Sequence, residues 1–294
     1  MSPSINLPSP EYRTELAAAY STRPCIVLSK FLELACAGDL EVHSREWPWR
    51  NVYVDQEQSA TWMEYNPPNP ATVMDGLFYS DNFKGLICEI TGLTGIDNAQ
   101  TRVWVNRYGP GDAVPLHRDI EGDAQVVICL RALESSDEGG ELVIAEQSYR
   151  LQAGDAVLFH ARKLSHRMER IGTSQLSKSP PARVTCIVRM FDTRRSLMTG
   201  RYWIRGEHSF AQFLCLHSNG AVSHYARNRC VPGCADLSHL TWDIMIDTVL
   251  FTNQRTTDTT IYRIISEQPG DVQLKYCSGE KILGADSCHR ATQT

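Results

Sequence analysis

Residues 101–119 read TRVWVNRYGPGDAVPLHRD and end in a His-x-Asp. On an extended strand, positions i and i+2 project to the same face, so His117 and Asp119 can present an imidazole and a carboxylate side by side. The segment before them, RVWVNRY, has the β-branched and aromatic content of a strand, and Gly109-Pro110-Gly111 marks a turn after it. Two donors are too few for a metal. His166, further along, supplies a third candidate, and two histidines with one carboxylate on one side of an iron leave positions opposite for chemistry.

Working outward, QVVICLR, GELVIAE, SYRL, DAVLFH and RVTCIVRMF follow RVWVNRY as short strand-like segments. Gly139-Gly140 and Gly154-Asp155 supply turns between them. Many short strands with tight turns predict an antiparallel sandwich or barrel over residues 101–192. The polar, breaker-rich SQLSKSPP at 174–181 predicts an exposed loop between His166 and the last strand. That strand alternates Arg183, Thr185, Ile187 and Arg189 with Val184, Cys186, Val188 and Met190. Pattern alone makes the arginine face solvent and the other face core.

The 294 residues can hold one large or two modest domains. A net charge of −5 offers no general attraction to phosphate backbones or anionic membranes, which counts against nucleic acid as the obligatory partner. No apolar run reaches the roughly 20 residues that span a bilayer. The first residues, MSPSINLPSPEYR, lack the basic and apolar regions of a secretory signal, so a cytoplasmic protein is expected. Cys25, Cys36, Cys88, Cys129 and Cys186 sit in apolar segments and read as small buried hydrophobes, which fits a reducing compartment. Cys230, Cys234, Cys277 and Cys288, with His217, His224 and His289, invite a zinc reading but lack paired Cys-x-x-Cys spacing.

Residues 1–23 read as a loose N-terminal arm and 24–100 as a support region. Within the latter, CIVLSKFLELA predicts a strand running into a short helix, with Leu28, Phe31, Leu32 and Ala35 at helical spacing and Gly38 beyond. Trp47, Trp49 and Tyr53 read as core aromatics. A loop through Trp62, Tyr65, Asn66, Pro67 and Pro68 is expected to carry specificity. SDNFKGLICEITGL predicts a helix capped by Ser80 or Asp81, striped by Phe83, Leu86, Ile87 and Ile90, and stopped at Gly92. Residues 193–294 form an extension with no assigned role, in which LTWDIMIDTVLF (240–251) could be a helix and TIYRII a strand.

Taken in order, NRYGPGDAVPLHRD, GGELVI, LQAGDAVLFHARKLSH and RVTCIVRMF resemble the core of the Fe(II)/2-oxoglutarate-dependent oxygenases. The resemblance implies an α+β chain: a double-stranded β-helix of the jelly-roll or cupin-like kind over 101–192, N-terminal supporting helices and an unassigned C-terminal extension. It implies His117, Asp119 and His166 as ligands of Fe(II), with 2-oxoglutarate and O2 as cosubstrates. Arg183 then matches the cation for the distal carboxylate, and Asn106 and Tyr108 match cosubstrate-bonding positions. The spacing departs from the usual pattern, because the loop 172–182 intervenes before Arg183 and leaves Arg170 and Lys178 as rivals. Arg189, on the same face as Arg183, would brace the site or meet a substrate anion. With Asp119 present, halogenation is not expected, since halogenases need a small residue there.

Three readings of function follow. The first is hydroxylation of an unactivated C–H bond of a small molecule, such as an amino acid or a biosynthetic intermediate, with Trp62, Tyr65 and Arg189 at the substrate. The second is an AlkB-like nucleic-acid demethylase, because Asn-x-Tyr before His-x-Asp and two arginines six apart resemble that branch. The third is a non-oxygenase metal protein, either a cupin-like binding module or a zinc hydrolase, but Arg183 would have no task in it. Nothing in the sequence assigns an oligomeric state.

Overall fold

The computed structural model describes the chain apart from residues 1–4, 55–59, 66–76, 120, 135–137, 173–182, 195–199, 206–211, 218–220, 227–239, 246–247, 257, 269–270, 279–286 and 291–294. The chain divides into two compact units, Met1–Asp192 and Thr193–Thr294.

The first unit begins with structure where a loose arm was expected. Ile5 bridges to Leu32, and α1 runs over Pro10–Thr22 with Leu16 and Tyr20 buried. The serine and proline that suggested disorder are start signals. Ser9 accepts the Tyr12 N–H at 3.3 Å, and Pro10 occupies the helical end where a missing N–H is harmless. The predicted strand-into-helix is also corrected. β1 covers Cys25–Leu28, Lys30 takes a positive φ of 52°, and Phe31 and Leu32 are buried in the connection. The helix α2 starts later, at Leu34–Ser44, and runs through Gly38.

The helix read at 80–92 is observed as α3, Asp81–Thr91. Ser80 accepts the Phe83 N–H at 3.2 Å, and Gly92 closes the helix at φ 76°. Its four apolar stripe residues are all buried, each contributing about 1.5–3 kcal/mol of burial.

The remaining strands of this unit form two antiparallel sheets. They are β2 (Arg50–Val54), β3 (Ala60–Tyr65), β4 (Arg102–Tyr108), β5 (Val114–His117), β6 (Ala124–Arg131), β7 (Leu142–Ile144), β8 (Gln147–Tyr149), β9 (Ala156–Phe159), β10 (His166–Met168) and β11 (Arg183–Met190). The larger sheet has the order β1-β9-β6-β11-β4-β3-β2 and the smaller β5-β10-β7-β8. From β4 to β11 the chain passes back and forth between the sheets, with the β7–β8 hairpin kept within the smaller one, as in a double-stranded β-helix. Trp62 and Tyr65 therefore lie on a strand, β3, and not on the expected loop; Asn66, Pro67 and Pro68 fall outside the described residues.

The middle of the large sheet is covered on both faces, which is why β6, β9 and β11 are buried almost throughout. On one face Val103, Val105, Val126, Ile128, Val184, Cys186 and Val188 pack with the helices' Phe83, Ile87 and Leu40. On the other, Val127, Cys129, Phe159 and Ile187 meet Leu142, Ile144 and Tyr149 of the small sheet. The face of β11 that bears Arg183 and Arg189 thus points between the sheets, not at solvent. Trp47 and Trp49 are partly buried against the helix-side core. Tyr53's side chain lies outside the described residues.

Among the described residues, the regular structure of the second unit is all β. Its strands β12 (Gly200–Arg205), β13 (Gln212–Leu216), β14 (Val222–Ala226), β15 (Leu240–Met245), β16 (Thr248–Asn253), β17 (Thr259–Gln268), β18 (Asp271–Ser278) and β19 (Ser287–Arg290) form one antiparallel sheet. Its order is β14-β13-β12-β19-β18-β17-β16-β15. The segment 240–251, read as a possible helix, is a hairpin with Trp242 opposite Phe251, while TIYRII lies in β17 as a strand. Trp242, Val249, Phe251, Tyr262 and Leu274 are buried, and the Trp242 indole N–H donates to the His217 carbonyl at 2.8 Å. Among the described residues, no helix is long and apolar enough to cross a membrane.

Candidate active site

The pairing of β5 with β10 sets His117 directly opposite His166, so two residues 49 apart in sequence become neighbours, with ring centroids 4.2 Å apart. Asp119 follows β5. Its Oδ1 lies 4.0 Å from His117 Nε2, and its Oδ2 lies 3.6 Å from His166 Nε2. Ligand atoms about 2.1 Å from a common metal cannot be more than about 4.2 Å apart, and both separations meet that limit. One ligand atom from each of the three residues falls within 4.8 Å of the others, and among the described residues this is the one cluster of its kind.

Backbone carbonyls orient both imidazoles. His117 Nδ1 lies 2.9 Å from the Pro115 oxygen, and His166 Nδ1 lies 3.3 Å from that of Leu164. Because a carbonyl only accepts, each Nδ1 carries the proton and each Nε2 turns a lone pair toward Asp119. Burial, reinforced by the adjacent His117, pushes His166 down to about 4, so it stands neutral and ready to coordinate near pH 7. Phe159 backs its ring edge-on at 4.9 Å.

A cavity of about 430 Å³ opens from this cluster. Arg183, 4% exposed, opens β11 opposite Tyr108, and Thr185 lies opposite Asn106. One Arg183 nitrogen donates to the Gly140 carbonyl, whereas its Nε is buried without a hydrogen-bond partner, and the Thr185 hydroxyl lies beside that of Tyr108. An unpaired buried donor is costly, and a carboxylate entering here would satisfy it. Asn106 donates to the Tyr108 hydroxyl at 2.7 Å. Burial raises the Tyr108 pKa, which keeps its phenolic proton available to a second acceptor. Arg189 bonds Asp119 Oδ1 through Nη2 and Gln125 through Nε at 3.0 Å, and its guanidinium lies 5.0 Å from the Trp104 ring centre.

Of the residues singled out in the sequence, His117, Asp119, His166, Asn106, Tyr108, Arg183, Arg189 and Trp62 all line the cavity. Tyr65 does not. It stacks on Trp47 at 4.8 Å on the other face of β3, because alternation sends Trp62 and Glu64 inward and Tyr65 toward the helix-side core. Arg170 donates to the Gly111 carbonyl and lies outside the cavity wall; Lys178 is outside the described residues. Trp104 and Glu64 were missed. Trp104 could have been found, since it shares the strand face of Asn106 and Tyr108. Glu64, held by Arg50 at 2.6 Å, could have been read from its alternation with Trp62.

Residues 80–165 match a family model described as an oxygenase catalysing oxidative methylation of damaged DNA, a span that includes His117 and Asp119 and stops one residue short of His166. No curated protein matches the chain in sequence. Among solved structures, an oxidoreductase of the 2OG-Fe(II) oxygenase family from Burkholderia pseudomallei is similar at a TM-score of 0.49, with 14% identity over 64% of this chain and 92% of that one. A prolyl-4-hydroxylase from Pseudomonas putida gives 0.47, 16%, 65% and 97% for the same measures, and the epimerase SnoN of nogalamycin biosynthesis gives 0.49, 12%, 62% and 82%. The family model thus spans under a third of the chain, and its match falls on the double-stranded β-helix that carries the His-Asp-His cluster. Two imidazoles and one carboxylate make a donor set that fits Fe(II).

Proposed function

We propose that this oxygenase hydroxylates an unactivated C–H bond of a small organic molecule, while 2-oxoglutarate is converted to succinate and CO2. His117, Asp119 and His166 hold the iron, which supplies the activation of O2. Arg183 and Thr185 hold the distal carboxylate of 2-oxoglutarate, with Tyr108 and Asn106 beside them. Arg189 fixes the orientation of Asp119. The cavity wall decides which C–H bond is presented, because the oxidant takes whichever bond is held in reach.

The observation that carries the small-molecule reading is the state of the arginines around the cavity. Arg50 is held by Glu64, Arg102 by Glu121 at 3.1 Å, and Arg167 by Glu169 at 2.8 Å. With a net charge of −5, this supports a neutralised rim and not a basic track for a phosphate backbone. A second reading, repair of a methylated nucleobase, is favoured by the description of the matching family, and the cavity's Trp62 and Trp104 are rings on which a base could stack.

Succinate formation with Fe(II) and 2-oxoglutarate, measured against free amino acids, small cyclic metabolites and methylated oligonucleotides, separates the two. Stimulation by a small molecule, with its oxygenated product, is expected. Formaldehyde release from an oligonucleotide, with no small-molecule stimulation, would transfer the assignment to the second reading.

A further inference from the structure

The carboxylate ligand is held by an arginine whose own position depends on a residue with no side chain. Gly122 lies between Asp119 and β6, at φ 89°. A Cβ built on it would meet Arg189 Cγ at 2.6 Å and Cδ at 2.9 Å, nearer than real Cβ contacts come. These atoms are at the root of the arginine side chain, where swinging is least possible. Its far end is held as well, by Gln125, by the Trp104 ring and by Asp119 itself.

Nor can the loop back away. The Gly122 carbonyl accepts from Arg162 Nε at 3.2 Å, and Arg162 also pairs with Asp123 at 2.9 Å. Asp123 donates its N–H to the Met190 carbonyl at 2.8 Å and accepts the Asp192 N–H at 2.9 Å, which ties the loop to the end of β11. The stem of Arg189 is thus clamped between its own strand and the Gly122 backbone.

We propose that Gly122 is a positioning residue for the metal centre. Its bare backbone admits the Arg189 stem, Arg189 occupies Asp119 Oδ1, and Asp119 Oδ2, buried and without a hydrogen-bond partner, is the oxygen left for the iron. A methyl group at position 122 displaces Arg189 and frees the carboxylate to rotate. The inference rests on the reading of His117, Asp119 and His166 as the metal ligands.

The test is titration of apoprotein with Co(II), read by the visible ligand-field spectrum, for wild type, Gly122→Ala, Arg189→Ala and the double variant. Gly92→Ala is the control, because Gly92 has a similar positive φ of 76° but open space around its Cβ position. Gly122→Ala is expected to weaken Co(II) binding about 10–100-fold, the usual effect of losing an outer-shell partner, and to alter the spectrum. Gly92→Ala is expected to lose thermal stability while binding Co(II) as wild type does. In the double variant the two effects should not add, since Gly122 acts through Arg189. If Gly122→Ala fails to fold, removing the Arg189 stem in the double variant should restore folding. Unchanged affinity and spectrum in Gly122→Ala, full additivity, or a double variant that still fails to fold would overturn the proposal. Wild-type protein that does not bind Co(II) would instead overturn the metal-site reading beneath it.

Discussion

Arg183 and Arg189 have the same charge and share one strand face, yet their surroundings give them different work. Arg183 lines the cavity and has a buried, unpaired Nε, whereas Arg189 is used up by Asp119, Gln125 and Trp104. Arg183→Ala should therefore weaken 2-oxoglutarate by at least about tenfold, in line with the roughly 1.5–3 kcal/mol of a charged hydrogen bond, and leave Co(II) affinity alone. Arg183→Lys should rescue only part, because a point charge lacks the planar fork. Calorimetric titration of the metal-loaded protein with 2-oxoglutarate checks both. Wild-type affinity in Arg183→Ala would move the anchor to another cation. The choice among Arg183, Arg170 and Lys178 was not open to sequence, since what distinguishes Arg183 is its register opposite Tyr108.

At the level of elements, the long strands and the capped helix α3 were legible in sequence because each carries a full period of its pattern. Within residues 101–192 the two strands that went uncounted are β5 and β10, four and three residues long. Their sequences, VPLH and HRM, hold a proline and polar side chains in place of an apolar run, and they carry His117 and His166. The ligands were therefore readable as residue types while the pairing that joins them was not. The arginine face of β11 misled for a related reason: one-sided polarity signals solvent only where a single sheet face is covered, and here both are. Helix α3 supports the sheet from the far side, so its cap should affect stability without touching chemistry. Ser80→Ala is expected to cost about 1 kcal/mol, seen as a lower urea midpoint at unchanged slope, with metal and 2-oxoglutarate affinities intact. A loss of 2-oxoglutarate affinity in that variant would mean α3 does more than support.

For the whole molecule, every residue assigned to the site comes from the first unit, and that unit ends in a fastening. The Asp192 carboxylate accepts from the Thr94 backbone N–H at 3.0 Å and its hydroxyl at 2.7 Å, while its own N–H goes to Asp123. A fragment of residues 1–194 should bind Co(II) and 2-oxoglutarate as the full chain does, and one ending at Phe191 should melt at a lower temperature. Equal melting of the two fragments would deny Asp192 this role; failure of the longer one to bind would make the second unit part of the site. That unit was the least legible region, and its eight strands, each paired with chain neighbours or with the returning last strand, show why. The 240–251 pattern that suited a helix is a hairpin in which Trp242, Val249 and Phe251 are buried.

In the large sheet, β11 lies between β6 and β4 although it comes last of the three in the chain. During synthesis the sheet therefore remains divided until residues 183–190 leave the ribosome, with one edge of β6 and one of β4 waiting for the same strand. Both arginines arrive with it. A nascent chain that already carries both histidines and the aspartate still lacks Arg189, the partner of Asp119, and Arg183, the proposed anchor of the dicarboxylate. The site is thus completed only when the sheet closes around its last central strand.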